Sequence, residues 1–502
     1  MASTQLRPRF VSLRETLPQA QFLRGGDVRA SRLTADWRDC GPGDLFVALT
    51  TADDDGHEHA AQAVARGAAA VLAERLVPVD APVVLTPDTR EALGRVAQAL
   101  AGQPSLRMRT IGVSGSAGKT VTSILLASIF EASGEAVGVV SSAGNSDSRS
   151  QTGPKHAAPT ALELADWLGR MAEAGCESAV VELNSRALAE RRAAGIELDA
   201  AVLTNLRPGQ LDLHNTAQGY TRAKRRLFTL LKSGGVAVLN ADDHRSRNLL
   251  PSLDVPCLTF GLHLEADLSA QVLERHKSEQ TFLLIAGDES APVRTRMIGD
   301  HHVANCLAAA AVGLASGLDL ATIVRGLEGV ERVPGRLERL ECGQNFGVFV
   351  DSANTPETLA LSLKTVRQVT SGRVIVVAGC QGGKNRAARP LVGRVLERGA
   401  NLAVLTNDNP RYEEPLAIMH DLLDGFERPQ RAHPLPDRAA AIRWALSQAR
   451  AGDSVVIAGK GDRAGQVVGK RRLAHDDREI ACEWLYTRGA EELKCPKLRI
   501  FR

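Results

Sequence analysis

The sequence predicts an α/β protein of three domains. A central domain carries a phosphate loop on a parallel sheet, and an N-terminal α/β domain and a C-terminal Rossmann-like α/β domain flank it. Three observations carry this. The chain has 502 residues, and single hydrophobic cores stop growing near ~250–300 residues. Short β-rich runs alternate with helical segments of about 10–15 residues, the pattern of βαβ units and a mostly parallel sheet. A run of small residues ending in Lys-Thr, GVSGSAGKT at 112–120, lies between one such strand and one such helix.

The elements follow in order. DLFVALT, HEHAAQAVARG, AAAVLAE and PVVLT read as strand, amphipathic helix, strand and strand. AGQPSLRMRT (101–110) carries Gly, Pro and Ser and reads as a linker, so the first domain is 1–104. TIGVSG then ends a strand, and KTVTSILLASIFEASG is a helix closing at Gly134. AVGVVSS is a strand, ALELADWLGRMAEAG a helix, and SAVVEL, DAAVLTNL and VAVLN (236–240) are strands. A break near RVPGR (332–336) closes the central domain at 105–333 and opens the C-terminal one, 334–502. There the alternation restarts with FGVFVD, a helix from Pro356, RVIVVAGC, a helix, ANLAVLTN and DSVVIAG. Ligands of such sheets sit beyond the carboxyl ends of the strands. Asp351, Gly379, Cys380, Asn407, Asp408, Gly459 and Lys460 all fall there.

Composition narrows the class. Sixty-one basic residues against 58 acidic ones leave a net charge of +3, too balanced for a nucleic-acid or membrane surface. The basic clusters RRLF (225–228) and GKRRL (469–473) read as solvated faces. Eight scattered Cys without a CxxC pair point away from a disulfide scaffold and towards a reducing compartment. The opening MASTQLRPRFVSLRE lacks the apolar core of a signal peptide, and no apolar run approaches ~18 residues. The expectation is a cytoplasmic monomer.

The glycine-rich turn is the strongest local signal. Gly112, Gly115 and Gly118 let backbone N–H groups and a helix N-terminus form an anion cradle. Lys119 would reach the outer phosphates, and the Thr120 hydroxyl would ligate Mg²⁺. The strict GxxxxGK[ST] spacing fails, since Val113 stands where its first Gly belongs. Glu182 ends the strand SAVVEL, in place to hold a metal.

A longer series of motifs goes further. GVSGSAGKT, VELNSRAL, TNLRPGQLDLH, YTRAKRRLF, VLNADD, VPGRLERL, VDSANTPETL, TNDNPR and AGKG resemble, in order and spacing, the successive motifs of the Mur ligases. Among these the chain is most similar to the type that adds the third amino acid to a UDP-N-acetylmuramoyl dipeptide. TADWRDCGPGDLFVAL (34–49) resembles the uridine-nucleotide domain of that type. The likeness runs from about residue 34 to residue 480.

This resemblance implies ATP-dependent amide-bond formation through an acyl phosphate, in the synthesis of peptidoglycan precursors and so in cell-wall biogenesis, cell shape and division. It implies ATP and Mg²⁺ as cofactors, with UDP-N-acetylmuramoyl-L-alanyl-D-glutamate and an amino acid as substrates. Lys119 and Lys224 would be catalytic. Gly115, Gly118, Lys119, Thr120, Asn305, Arg336 and Asp351 would bind ATP. Thr120, Glu182 and Lys224, the last as a carbamate, would hold metal. Asp36, Arg38, Pro159, Thr160 and Ser185 would face the UDP substrate. Asp408, Asn409, Arg411, Gly459 and Asp462 would face the amino acid, and the DNPR run resembles that of enzymes taking meso-diaminopimelate. Two plainer readings stand beside these: Lys224 as an exposed helix lysine, and Asp351 as a helix cap.

The chain also departs from the family pattern. Gly209-Gln210 replaces an Asp-His pair, Arg186 a His, and Ala157-Ala158 a Thr pair. Ala117 replaces an Asn in the phosphate loop. Ser352 and Asn354 stand for Tyr and His, and Lys384-Asn385 for Arg-Asp. Asp462-Arg463 stands where His-Glu would meet the amine of diaminopimelate, with Asp462 as a partial substitute. These changes keep open an alternative, a Mur-ligase-like paralogue that binds nucleotide without efficient ligation and serves as a partner, and a further one, ligation of a different amino acid.

Overall fold

A computed structural model of the chain describes residues 10–494, apart from 154–157, 208–213 and 215. Ala157 and the Gly209-Gln210 pair lie outside the described residues. The chain divides into two compact units, Met1–Thr259 and Phe260–Arg502.

The first unit begins with a five-stranded sheet. Its strands are β1 (Gln21–Leu23), β2 (Leu33–Thr34), β3 (Leu45–Val47), β4 (Ala70–Ala73) and β5 (Val83–Leu85), in the order β1-β5-β4-β3-β2. β2 to β5 run parallel and β1 is antiparallel at the edge. Alternation along β4 loads both faces. Ala70 and Leu72 join one core with Leu93 and Val96 of helix α2 (Thr89–Leu100). Val71 and Ala73 join the other with Ala60 and Ala63 of helix α1 (Ala60–Ala65). Successive strand side chains point to opposite faces, so one apolar run serves two layers.

The same unit continues as a parallel βαβ sheet. Its elements are β6 (Arg109–Ser114), α3 (Lys119–Ala132), β7 (Val137–Ser141), α4 (Ala161–Ala174), β8 (Ser178–Glu182), β9 (Leu198–Leu203), α5 (Ala217–Arg225) and β10 (Leu231–Asn240). The order β7-β8-β6-β9-β10 is parallel throughout. The chain leaves β6 towards β7, returns to β8, then crosses to β9. The loop after β6 therefore opens at the switch point, where such sheets form their crevice. α3 ends two residues before Gly134, which takes φ +94°, and α4 closes on Gly175 at φ +86°. β10 starts at Leu231, five residues ahead of the VAVLN run.

The second unit opens with an antiparallel meander absent from the sequence reading: β11 (Leu268–Arg275), β12 (Gln280–Ala286) and β13 (Glu289–Thr295). Helices α6 (Asp300–Ala315) and α7 (Leu320–Gly329) follow. A six-stranded sheet comes next, built from β14 (Glu338–Arg339), β15 (Gly347–Asp351), β16 (Val374–Ala378), β17 (Leu402–Leu405), β18 (Ala432–Pro434) and β19 (Ser454–Ala458). Their order is β14-β15-β19-β16-β17-β18, parallel except for β14. Val374, Val376 and Ala378 pack on one face with helices α8 (Pro356–Gln368), α9 (Arg389–Gly399) and α10 (Pro415–Leu423). Ile375 and Val377 pack on the other with α11 (Arg438–Gln448) and α12 (Asp477–Lys494). A small antiparallel hairpin, Gln466–Val468 with Arg471–Leu473, lies between β19 and α12. Among the described residues no helix is long and apolar enough to cross a membrane.

Candidate active site

In the first unit the loop after β6 has the predicted strand–loop–helix setting. Gly115 takes φ +151° and Gly118, the N-cap of α3, takes φ +86°. A Cβ on Gly115 would collide with the Thr204 hydroxyl, so a larger residue here would be strained and would force Thr204 off the loop. The loop is pinned from β9 by two residues the sequence reading did not single out. Thr204 Oγ1 donates to the Ala117 carbonyl at 2.5 Å, and Asn205 accepts from Ala117 N and donates to its carbonyl, both at 3.0 Å. Ala117 needs no side chain of its own for this, because the Asn205 amide bonds its backbone.

Lys119 Nζ donates to the Gly115 carbonyl at 3.2 Å and lies 3.9 Å from Glu182. Thr120 Oγ1 donates to Glu182 Oε2 at 2.9 Å and meets Ser142 Oγ at 2.8 Å. Ser142 donates to the same carboxylate oxygen from its backbone at 3.0 Å and from its hydroxyl at 3.1 Å. Thr120, Ser142 and Glu182 thus present hard oxygen donors beside the phosphate cradle. That set fits Mg²⁺, which proteins commonly hold with one or two carboxylates plus substrate phosphates. Among the described residues no cluster of three or more His, Cys, Asp or Glu side chains offers an all-protein cage.

Lys224 is not an exposed helix lysine. Its side chain is 1% exposed, and Nζ donates to Ser114 Oγ at 3.0 Å and to the Gly115 carbonyl at 2.9 Å. Burial pushes its pKa well below the usual lysine range, and the Lys119 charge adds to this against the pull of Glu182. An amine so placed is held towards its neutral, nucleophilic form.

The residues expected at the UDP substrate are more dispersed. Asp36 caps the turn Trp37–Asp39 and pairs with Arg38 through two contacts of 2.8 Å. Each lowers the other's demand for an external partner. Thr160 closes a capping box with Glu163 at the start of α4, and the Pro159 carbonyl accepts from Arg192 at 3.1 Å. Ser185 is buried one residue after Asn184, which caps the following helical turn. Arg186 turns outward, 3.8 Å from Glu190.

In the second unit three separate motifs meet. Gly335 takes φ +63°, and a Cβ there would strike Asp462 N and Gly461. Arg336 Nη1 bonds Ser352 Oγ. Asp351 accepts from the Ser362 hydroxyl and, at 3.4 Å, from Leu337 N. Thr355, not Asp351, caps the next helix, so the cap reading fails. Burial raises the Asp351 pKa against the pull of Ser362 and Arg336. Asp462 also has its pKa raised by burial, opposed chiefly by Arg336. The Arg336 charge further lowers the pKa of buried His302, after burial itself and His301. Asn305 is buried one turn further along α6.

The DNPR run carries three of the expected substrate contacts, Asp408, Asn409 and Arg411. Asp408 is fully buried and pairs with buried Lys460 at 3.2 Å. Asn409 Nδ2 donates to Asp408 Oδ1 at 2.9 Å, and Asn409 Oδ1 accepts from Val467 N at 2.8 Å. These bonds brace the loop, with Asp408 buried and Asn409 half-buried. Arg411 is exposed, at φ +56°, and its backbone bonds Val467 and Gly469 of the hairpin. Arg463 turns back, donating to the Lys460 carbonyl at 3.1 Å and to the Gly459 carbonyl. The Gly459 carbonyl is therefore occupied from within the chain. Sequence reasoning also missed Arg438, buried and paired with Asp477 at 2.7 Å and bonded to the Ala458 carbonyl at 2.8 Å.

Burial raises the Asp477 pKa, but Arg438 and His475 overcome this and hold it well below the carboxylate range. Folded Asp477 thus releases its proton at lower pH than unfolded Asp477. Its stabilisation is complete above the unfolded pKa of ~3.9 and is lost as pH falls through the folded value. Asp477→Asn is expected to lower the urea midpoint at pH 7 and to flatten its decline between about pH 5 and 3. A midpoint that fell as steeply as the parent's would count against the pairing.

The comparisons with known proteins bear on this geometry. The profile of the Mur ligase middle domain matches residues 113–313, and that of the Mur ligase glutamate ligase domain matches 335–461. A UDP-N-acetylmuramoyl-L-alanyl-D-glutamate–2,6-diaminopimelate ligase from Geobacillus thermodenitrificans is 38% identical over 477 residues, covering 94% of this chain and 98% of that protein. The chain belongs to the Mur ligase family. It is accordingly an ATP-dependent amide-bond ligase with the three-domain Mur ligase architecture. A solved Mur ligase structure of the same description superposes with a TM-score of 0.70 at 30% identity, covering 96% of this chain and 100% of that one. The MurF ligase from Thermotoga maritima in complex with ADP shares the fold, with a TM-score of 0.60 at 19% identity over 92% of this chain and 98% of that one. Nothing in these comparisons favours a paralogue without activity.

Proposed function

We propose that the chain joins meso-diaminopimelate to UDP-N-acetylmuramoyl-L-alanyl-D-glutamate, with cleavage of ATP to ADP and phosphate, as a monomer in the cytoplasm. The observation that carries this reading is the 38% identity to a ligase of that description across 94% of the chain.

The substrate carboxylate attacks the γ-phosphorus of ATP and becomes an acyl phosphate as ADP leaves. The amine of the incoming amino acid then attacks the acyl carbon and expels inorganic phosphate. Such reactions depend on positioning and charge neutralisation. The amides around Gly115 and Gly118 cradle the phosphates, and Lys119 meets the outer ones. Mg²⁺, held by Thr120, Ser142 and Glu182, would neutralise phosphate charge when bound. Burial pushes the Lys224 pKa well below the usual lysine range, towards the neutral amine that carbamylation requires. As a carbamate, formed with CO₂ and loss of a proton, Lys224 would supply a negative charge to hold a second ion. Asn305, Arg336 and Asp351 serve the nucleotide, and Asp36, Arg38, Pro159, Thr160 and Ser185 the uridine-sugar substrate. On the amino-acid side Arg411 grips a carboxylate with two parallel hydrogen bonds. Asp408 and Asn409 hold its loop, and Gly459 and Asp462 belong to the turn that carries Lys460, the ion-pair partner of Asp408. The domains are 1–104, 105–333 and 334–502.

The test is phosphate release from ATP with the UDP-muramoyl dipeptide and a panel of amino acids. Release with meso-diaminopimelate and not with L-lysine is the expected result. Release with another amino acid alone would move the specificity to that residue, and ATP binding without release would overturn the reading.

A further inference from the structure

Helix α5 buries Lys224 and turns Arg222 and Arg225 to solvent. These two, with Arg226 and Arg245, line a groove of about 900 Å³. None of the four has a carboxylate within ion-pairing distance among the described residues, whereas Arg109, Arg170, Arg191 and Arg192 in the same unit each do. One carboxylate, Asp254, lines the groove, so four arginines share it with a single acid.

The arrangement is built rather than fortuitous. Arg226 is anchored by the Ala189 carbonyl at 2.8 Å, and Arg225 donates to Ser252 Oγ at 3.3 Å. Asp88 and Glu91, the carboxylates whose charges act on Arg226, are each engaged by Arg191 at 2.6 Å. Basic residues in the last turn of α5 would suit the helix dipole, but Arg245 belongs to a different element, the turn His244–Arg247. Like charges gathered without counter-charge repel, and a bound anion relieves that cost. The floor is apolar: Phe228 and Leu249 are buried, with Leu253 and Val255 half-buried beside them. Volume, apolar floor and a few converging polar groups are the features of a small-molecule site, and guanidinium forks match phosphate oxygens two at a time.

We propose that this groove is a second phosphate-ligand site, sharing no residue with the phosphate loop, for a small molecule with phosphates on an apolar or planar body, as in a nucleoside diphosphate. The cluster RRLF is then part of a binding surface and not a merely solvated face.

The test uses full-length Lys119→Ala protein, which suppresses binding at the phosphate loop, and calorimetry at low salt with three probes: GDP, tripolyphosphate and hexaglutamate. GDP is expected to bind at one site, more tightly than tripolyphosphate. Adding Arg222→Ala and Arg245→Ala is expected to weaken it at least about tenfold, since two charge-assisted contacts are lost. In the otherwise unaltered chain the same two replacements should leave ATP-driven phosphate release unchanged, which shows that the variant is folded. GDP binding that survives both arginine replacements, or no GDP binding at all, would overturn the proposal. Tripolyphosphate binding as tightly as GDP would remove the apolar body from it. Tighter binding of hexaglutamate would replace it with an acidic protein partner.

Discussion

Lys460→Met is expected to lower the unfolding free energy of the C-terminal unit by about 3–5 kcal/mol. Lys460 and Asp408 are both essentially inaccessible, at 1% and 0% exposure. The ammonium also donates to the Gly465 carbonyl at 2.9 Å and to Asn409 at 3.3 Å. Asp408 Oδ2 has no hydrogen-bond partner among the described residues, so Lys460 is its main compensation. Methionine fills a similar volume but leaves the Asp408 carboxylate with only the Asn409 amide as partner in a medium of low dielectric. A buried charge without its counter-ion is costly. Asp408→Asn strands the cation instead, with Arg438 nearby adding repulsion. The double change Lys460→Met with Asp408→Leu should cost less than the sum of the two single ones, because an apolar pair leaves no orphaned charge. The urea midpoint reported by Trp444 and Trp484 measures this. A loss below about 1 kcal/mol for Lys460→Met, the level of a surface pair, would show that the pair is solvated in solution.

Lys119→Ala is expected to reduce ATP-driven phosphate release by about 10²–10³-fold, the usual effect of removing one preorganised charge at a reacting group. The geometry makes this lysine hard to replace. Its ammonium reaches back over the loop to Gly115 and towards Glu182. The second lysine at this place, Lys224, is buried and its ammonium position is tied to Ser114 and the Gly115 carbonyl, so it is not placed to take over at the outer phosphates. ATP affinity should fall too, while the fold should not, since Lys119 is partly exposed and its removal orphans no buried donor. Release within threefold of the parent, measured with saturating ATP, would show that the ammonium is not at the transferring phosphate.

Much of this architecture follows from short-range rules that a sequence expresses directly. Near-continuous apolar runs such as VIVVA and SVVIA became central parallel strands because both of their faces are buried under helices. Helix ends at Gly134 and Gly175 follow from the left-handed conformation that glycine adopts cheaply. The glycine loop was legible for the same reason. The meander of β11 to β13 was not. The run FLLI in β12 hides its alternation, although only Phe282 and Leu284 of those four are buried.

Side-chain destinations divide along the same line. Local pattern alone placed a phosphate-type turn at residues 112–120 and put Asp351, Asp408 and Gly459 at strand ends, since backbone conformation and periodicity are local properties. Only the tertiary structure decided that Lys224 is buried against Ser114, that Thr204 and Asn205 clasp Ala117, and that Asp408 faces Lys460 instead of solvent. Those contacts join residues between 50 and 110 positions apart, and their energies depend on burial and on which charge lies opposite. No local pattern encodes either quantity.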